Sequence, residues 1–211
     1  MKIEIVEQGT DSWKAIRLGR VTASRVADVI AKTKSGYSAS RANYQAELIC
    51  ERLTGASADG FTNAAMQWGT ANEPNARALY EFLRDTEVQQ VGFVHHPKID
   101  MAGASPDGIV GDNGLIEIKA PNTATHLETL LSEAVPGKYI TQMQWQMATC
   151  ERLWCDFVSF DPRLPAEMQL FVKRVERDDA LIAELEKEVR AFLADLDAKI
   201  ASLTEKFRRA A

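Results

Sequence analysis

Apolar residues recur along the chain first at helical spacing, then in short alternating runs, and at the end at helical spacing again. Thr10 or Asp11 is placed to cap a first helix carrying Trp13, Ile16 and Leu18, with Gly19 to end it. Thr22 is placed to cap a second helix running to Ile30, with Ser24 in its first turn. Residues 32–39 are polar and predict a loop that displays Lys32 and Lys34. Ser40 can cap a helix to Leu53, buried through Tyr44, Leu48 and Ile49, with Gly55 beyond its end. After a loop at 56–61, helical spacing resumes from about Thr62 to Arg84. Interruptions are expected around Gly69 and Pro74, and Leu79, Tyr80, Phe82 and Leu83 are core candidates.

Strand-type runs then take over. Val88, Val91, Phe93 and Val94 predict one strand between Glu87 and His95. Two runs follow, Ile109-Val110 and Leu115 to Lys119, joined by Gly111-Asp112-Asn113-Gly114, which reads as a hairpin. Strand alternation puts Glu117 and Lys119 on one face while Ile116 and Ile118 point into the core. Asn122 or Thr123 starts a helix to about Glu133, and Pro136-Gly137 breaks the chain. On the next helix, Lys138 to Thr149, Tyr139, Gln142 and Gln146 share a face beside Met143, and the glutamines either contact phosphates or, by default, face water. Trp154 to Phe160 and Leu170 to Val175 predict two further strands. Asp178 or Asp179 caps a last helix whose stripe runs from Leu181 through Leu185, Val189, Phe192, Leu196, Ile200 and Leu203 to Phe207; it is expected to dock on its own domain. This succession predicts an α/β fold with a central mixed β-sheet flanked by helices.

Composition narrows the picture. The 211 residues suit a single domain, 1–211, with N-terminal helices and a long C-terminal helix. A net charge of −5 excludes a broadly basic DNA-coating surface but leaves room for a local basic groove or ring lumen. Cys50, Cys150 and Cys155 read as reduced thiols, and His95, His96 and His126 form no zinc motif. Met1 to Glu7 is too short and too charged for a signal peptide, and no apolar run reaches membrane-spanning length. A cytoplasmic protein without a membrane partner is therefore expected.

Candidate chemistry concentrates at Asp107, Glu117 and Lys119. If Asp107 lies near the start of the strand beside Glu117, two carboxylates and an ammonium converge on one spot. Hard oxygen ligands of this kind suit Mg2+ or Mn2+, and the lysine can orient water and offset charge in a phosphoryl-transfer transition state; the alternative is a surface hairpin with a solvated Glu117/Lys119 pair. Arg17, just upstream of the helix N-terminus at Ser24, makes either a phosphate pocket or a surface ion pair beside a cap. Glu73 is either a favourable acid at a helix start or a third carboxylate for the metal.

The order Pro106-Asp107, spacer, Glu117-Ile118-Lys119 resembles the motif of the PD-(D/E)XK nuclease superfamily. Further stations are similar to the lambda-type phage alkaline exonucleases, its viral recombinase branch. They are Glu7-Gln8-Gly9, Trp13, Arg17-Leu18-Gly19 and Thr22-Ala23-Ser24, then Trp68-Gly69, Glu73 and Ala76-Arg77, then Ser105 before the motif. Tyr139, Gln142 and Gln144, and Asp161-Pro162-Arg163, complete the set. The chain is identified as a member of that branch over most of its length.

The resemblance implies a restriction-endonuclease-like PD-(D/E)XK core. It implies Mg2+, with Mn2+ able to substitute, held by Asp107, Glu117 and the backbone carbonyl of Ile118. Lys119 would position and activate the attacking water, and Glu73 would support the metal site. Arg17, Ser24, Ser105 and Gln142 would bind the 5′-phosphate, and Lys34 and Met66 would contact DNA. Lys34 stands where the lambda protein has arginine, so its grip on phosphate lacks the bidentate fork. The implied activity is 5′-to-3′ digestion of linear double-stranded DNA to mononucleotides, leaving a 3′-ended strand for recombination. Double-stranded DNA ends, a phage single-strand annealing protein and two further copies in a homotrimeric ring are the implied partners, and a bacterial host cell the setting. The alternatives are an endonuclease of the same superfamily and a non-catalytic DNA-end-binding module.

Overall fold

Two β-sheets share one buried helix. The computed structural model describes residues 1–57 and 64–208, the Arg208 side chain excepted. The chain opens with β1 (Lys2–Glu4), α1 (Asp11–Arg17), β2 (Val21–Thr22), α2 (Val26–Ile30), β3 (Lys32–Thr33), β4 (Gly36–Tyr37) and α3 (Ala39–Thr54). It continues through α4 (Ala64–Arg84), β5 (Val88–Gln89), β6 (Phe93–His95), β7 (Ala102–Ala104), β8 (Gly108–Val110) and β9 (Gly114–Lys119). It closes with α5 (Thr123–Ser132), α6 (Gly137–Cys150), β10 (Trp154–Phe160), β11 (Leu170–Glu176) and α7 (Asp179–Arg208).

The central sheet has the order β11-β10-β9-β8-β5, with β9 and β10 parallel and the other pairs antiparallel. It is the expected mixed sheet flanked by helices. A smaller sheet, β1-β6-β7-β2, pairs β2 parallel to β7. The hairpin is present: Gly111, at φ +53°, takes the left-handed turn, and β8 and β9 pair from Gly108↔Ile116 to Val110↔Gly114. Gly114 is required, because a Cβ there would lie 2.1 Å from the Trp154 ring.

Strand β9 is covered on both sides, which corrects the picture of one core face and one open face. Ile116 and Ile118 pack with Ala76 and Tyr80 of α4, while Leu115 packs with Met143 and Met147 of α6. A central strand flanked by two helix layers has no solvent face, so Glu117 is fully buried. The next residue of α6 in the core, Trp145, turns to the other side and meets Ala102 and Ala104 of β7. There α7 docks through Leu185, Val189, Phe192 and Leu196 against α2 and α3, capped by Asp178, whose Oδ1 accepts from the amides of Ala180 and Leu181. Leu203 and Phe207 run past this contact and are exposed.

Several local readings change. Thr22 belongs to a strand and makes no side-chain cap; a 3-10 turn over Ala23–Arg25 leads into the short α2. Residues expected as loop form the β3–β4 hairpin, with exposed Lys34 at its turn. The run from Glu87 to His95 splits into β5 and β6, one in each sheet, at Gly92, where a Cβ would lie 2.3 Å from the Val6 carbonyl. Finally, α4 passes through Pro74 without a break. The missing amide deprives the Thr70 carbonyl of its donor, yet burial of Asn72, Ala76, Arg77 and Tyr80 along one face holds the helix. Asn72 is no cap there; its Nδ2 donates to the Trp68 carbonyl at 2.9 Å. Phe82 and Leu83, expected in the core, lie on the outer face, 80% and 58% exposed. The helix start expected at Thr62 and most of the 56–61 loop lie outside the described residues.

Candidate active site

The β8–β9 register builds the centre. Gly108 pairs with Ile116, so one step outward Asp107 stands opposite Glu117. Asp107 is fastened there by accepting the Ile118 amide on Oδ2 at 2.6 Å. Lys119, two residues along the same strand face, forms an ion pair with Glu117 Oε1. The Glu117 carboxylate accepts two further bonds from α6: Gln142 Nε2 to Oε1 and Gln146 Nε2 to Oε2, each at 2.6 Å. The glutamines therefore face the buried acid, not water. Gln144 points away and joins β11 to α7, donating to the Glu176 carbonyl and accepting the Asp178 amide.

Electrostatics single this cluster out. Burial first, then the Glu117 charge, pushes the Asp107 carboxyl well above the usual range. Glu73 is also pushed up, by burial and by Glu117, against the pull of Arg77, with which it is ion-paired one turn along α4. Burial alone would pull the Lys119 ammonium down, but Glu117 and Asp107 outweigh it and raise it above its ordinary value. Lys119 is thus a firmly charged donor among acids in excess.

The donor set fits a hard divalent cation. Two carboxylates and the neighbouring main chain offer oxygen only, and an added positive charge would relieve the repulsion that raises Asp107. Among the described residues, no three Asp, Glu, His or Cys side chains gather at metal-holding spacing. The protein thus offers two acids, and Glu73 stays engaged with Arg77, close enough for its charge to be felt by Asp107.

A second group meets at Ser105, two residues before Asp107. Its Oγ accepts from Trp13 Nε1 at 2.9 Å and from Arg17 Nη1 at 3.3 Å. The Arg17 guanidinium lies over the Trp13 ring, 4.1 Å from its centroid, rather than in a surface ion pair. A serine hydroxyl has two acceptor lone pairs and one proton. With both lone pairs taken, the Ser105 proton and the remaining Arg17 N–H groups have no hydrogen-bond partner among the described residues and are left for an anion. Gln8 secures the approach by donating to the Pro106 and Val91 carbonyls, each at 2.9 Å. Ser24 is exposed in the 3-10 turn that follows β2, two residues past the Thr22↔Gly103 pair.

Of the residues expected to bind phosphate, Arg17 and Ser105 are in direct contact, Ser24 is exposed on the turn after β2, and Gln142 is turned to Glu117. Lys34 and Met66 are exposed, on the β3–β4 hairpin and the first described turn of α4. On sequence grounds Trp13 has no site role, and Gln146 has only a share in a glutamine face that either contacts phosphates or faces water. Trp13 reads as helix core, and Gln146 shows only its shared face with Gln142, a signal that becomes informative once that face is known to be buried.

The model of the YqaJ-like viral recombinase domain matches residues 12–152 of this chain. Two crystal structures of LHK-Exo, an alkaline exonuclease from Laribacter hongkongensis, one of them in complex with dAMP, each share 57% identity with it. Each covers 96% of this chain and 100% of that one, with a TM-score of 0.90. A phage related exonuclease from Haemophilus somnus shares the fold at 18% identity, over 87% of this chain and 96% of that one, with a TM-score of 0.70. Among curated proteins, none matches the chain.

Proposed function

The chain belongs to the YqaJ-like viral recombinase family, and from that premise we propose a Mg2+-dependent nuclease that digests linear double-stranded DNA from the 5′ end. It would release mononucleotides and leave a 3′-ended strand for annealing-type recombination. One juxtaposition carries this reading: Ser105, with its Arg17 and Trp13 partners, lies two residues from Asp107, so a held phosphate sits beside the acid pair. The homologous alkaline exonuclease seen with dAMP supports a nucleotide-sized product.

Asp107, Glu117 and the Ile118 carbonyl would hold Mg2+, with Mn2+ able to replace it. When bound, the ion supplies positive charge at the scissile phosphate and eases deprotonation of water. The protein's residues do the rest. Arg17 and the Ser105 hydroxyl grip the terminal phosphate, joined by Ser24, and set the register of the strand against the acids. Lys119, charged and fixed by Glu117, orients the attacking water and offsets negative charge on the phosphoryl oxygens. Glu73 adds to the acidic field, and Lys34 and Met66 meet the duplex near its end. A trimeric ring with a basic lumen would reconcile the net charge of −5 with DNA binding, and a single-strand annealing protein would take up the product. Among the described residues no helix is long and apolar enough to cross a membrane, which is compatible with work on DNA in a host cytoplasm.

Linear and covalently closed circular duplex, both labelled and titrated with Mg2+ while native mass is measured, test the proposal. Mononucleotide release from linear duplex only, at trimer mass, is expected. Cutting of the closed circle would replace it with an endonuclease, and no Mg2+-dependent release from either would leave an end-binding module.

A further inference from the structure

Glu117 is buried in full, and both of its oxygens carry donors, but the two sides differ. Oε1 meets Gln142 and Lys119, whose side chains reach the partly exposed mouth of the site. Among the described residues Oε2 meets only Gln146, which is 0% exposed and lies one turn deeper on α6, between the wholly buried Trp145 and Met147. The side chain of Gln146 has this single hydrogen bond among the described residues. Its own Oε1 is buried without a partner.

That orphan is informative. An unsatisfied buried carbonyl costs about 1–3 kcal/mol. Turning the amide over would not relieve it, since the amide oxygen would then face the Glu117 carboxylate. The orientation is therefore set by the charge-assisted Nε2–carboxylate bond, which is strong in a dry surrounding. A glutamine kept at such a cost, and touching nothing else polar, serves the carboxylate.

We propose that Gln146 is a positioning residue for divalent-cation binding. It pins Oε2 on the inner side and so turns the Oε1 edge of Glu117, whose donors are the more accessible ones, toward the cation. The inference rests on the reading of Glu117 as a metal-holding acid. It assigns different work to two glutamines one turn apart: Gln142 stands at the mouth, and Gln146 orders the acid from behind. Residues that orient a ligand in this way are typically worth about 10–100-fold in metal affinity.

The test is Mn2+ binding to DNA-free protein, measured calorimetrically for wild type, Gln146→Met, Gln146→Glu and Glu117→Gln. Melting temperature and binding of a 5′-phosphorylated duplex end in chelator serve as controls. Methionine keeps the length and bulk but removes the donor; glutamate keeps the shape and replaces donor with acceptor. The expected result is a Kd for Mn2+ about 10-fold weaker in Gln146→Met and weaker still in Gln146→Glu, with end binding unchanged. Saturating Mg2+ should restore most of the turnover of Gln146→Met, with the half-saturating concentration moving in step with the Kd. Unchanged Mn2+ affinity in both Gln146 variants, beside a loss in Glu117→Gln, would overturn the inference and leave the metal site standing. Unchanged affinity in Glu117→Gln as well would overturn the metal reading itself, and the inference with it. Failure of both Gln146 variants to fold would make the residue a core element and overturn the positioning role.

Discussion

Adjacent strands of the central sheet carry two kinds of buried acid. Asp156, on β10, accepts from Tyr80 and from both Nε and Nη2 of Arg174; Asp161, just past the strand end, accepts from Thr123 and three times from Arg163. Each is matched by its own arginine, and Arg163 in turn stacks on Trp68 of α4, 4.5 Å from the ring centroid. Glu117 is as deep in the fold and Asp107 is half-buried beside it, yet they share one lysine and have Glu73 nearby. The Arg163 hydrogen bonds pull the Asp161 carboxyl down to about 2, whereas burial and Glu117 push that of Asp107 up. Burial of an acid is thus no mark of a reactive centre. A surplus of negative charge that the fold leaves unneutralised is.

The comparison breaks most decisively at Lys119 and Asp107. Lys119→Ala and Asp107→Asn should each lower the cleavage rate by about 100–1000-fold, the first by removing a charge that offsets the transition state and the second by weakening the hold on the cation that does the same. Asp107→Asn should at the same time raise the melting temperature of the metal-free protein, since it removes a repelled, desolvated acid. A lower melting temperature would show that Asp107 is matched after all. Next in size is Asp156→Asn, which weakens the bonds from Tyr80 and from the half-exposed Arg174 and should cost about 1–2 kcal/mol in denaturant unfolding. Turnover per folded molecule should be unchanged, and a rate loss as large as that of Lys119→Ala would erase the distinction between the two kinds of acid.

Arg17→Ala should reduce the preference for 5′-phosphorylated over 5′-hydroxyl ends by about 10-fold, the scale of one charge-assisted contact. Equal discrimination by mutant and wild type would separate the Ser105 cluster from phosphate binding. The smallest effect lies in the acid limb of stability. Asp161 has its folded pKa lowered from 3.8 to about 2, so its contribution is present above the unfolded value and is lost as pH falls through that window. Asp107 runs the other way: with the folded value raised, stability falls as pH climbs from the ordinary carboxylate value toward it. Unfolding curves between pH 2 and 4 should therefore be flatter in Asp161→Asn than in wild type, and those above that window flatter in Asp107→Asn.

Much of this was legible from residue order because the signals are local. The Gly111–Gly114 turn, the Asn122 cap that accepts the Thr125 amide, and the stripe that docks α7 each depend on a few neighbouring residues. The Ser105–Asp107–Glu117–Lys119 set was legible because strand alternation and one hairpin register bring it together. Errors fell where distant contacts override local preference. Pro74 stays helical because α4 is held on the sheet, and Phe82 and Leu83 face outward because that sheet sets which side of the helix is buried.

Gln142 and Gln146 show the boundary between the two kinds of information. Their spacing alone establishes that they share a helix face. Whether that face meets water or a buried carboxylate depends on where α6 lies relative to β9, a contact between segments 25 or more residues apart. The sequence by itself determined the helix, the hairpin and the order of the acids, through capping, turn chemistry and periodicity. Only tertiary packing decided that Glu117 is enclosed, that Ser105 is where Trp13 and Arg17 converge, and that Asp156 and Asp161 each have an arginine while Asp107 and Glu117 share one lysine. Charge matching is a property of distance in space, which the order of residues along the chain does not specify.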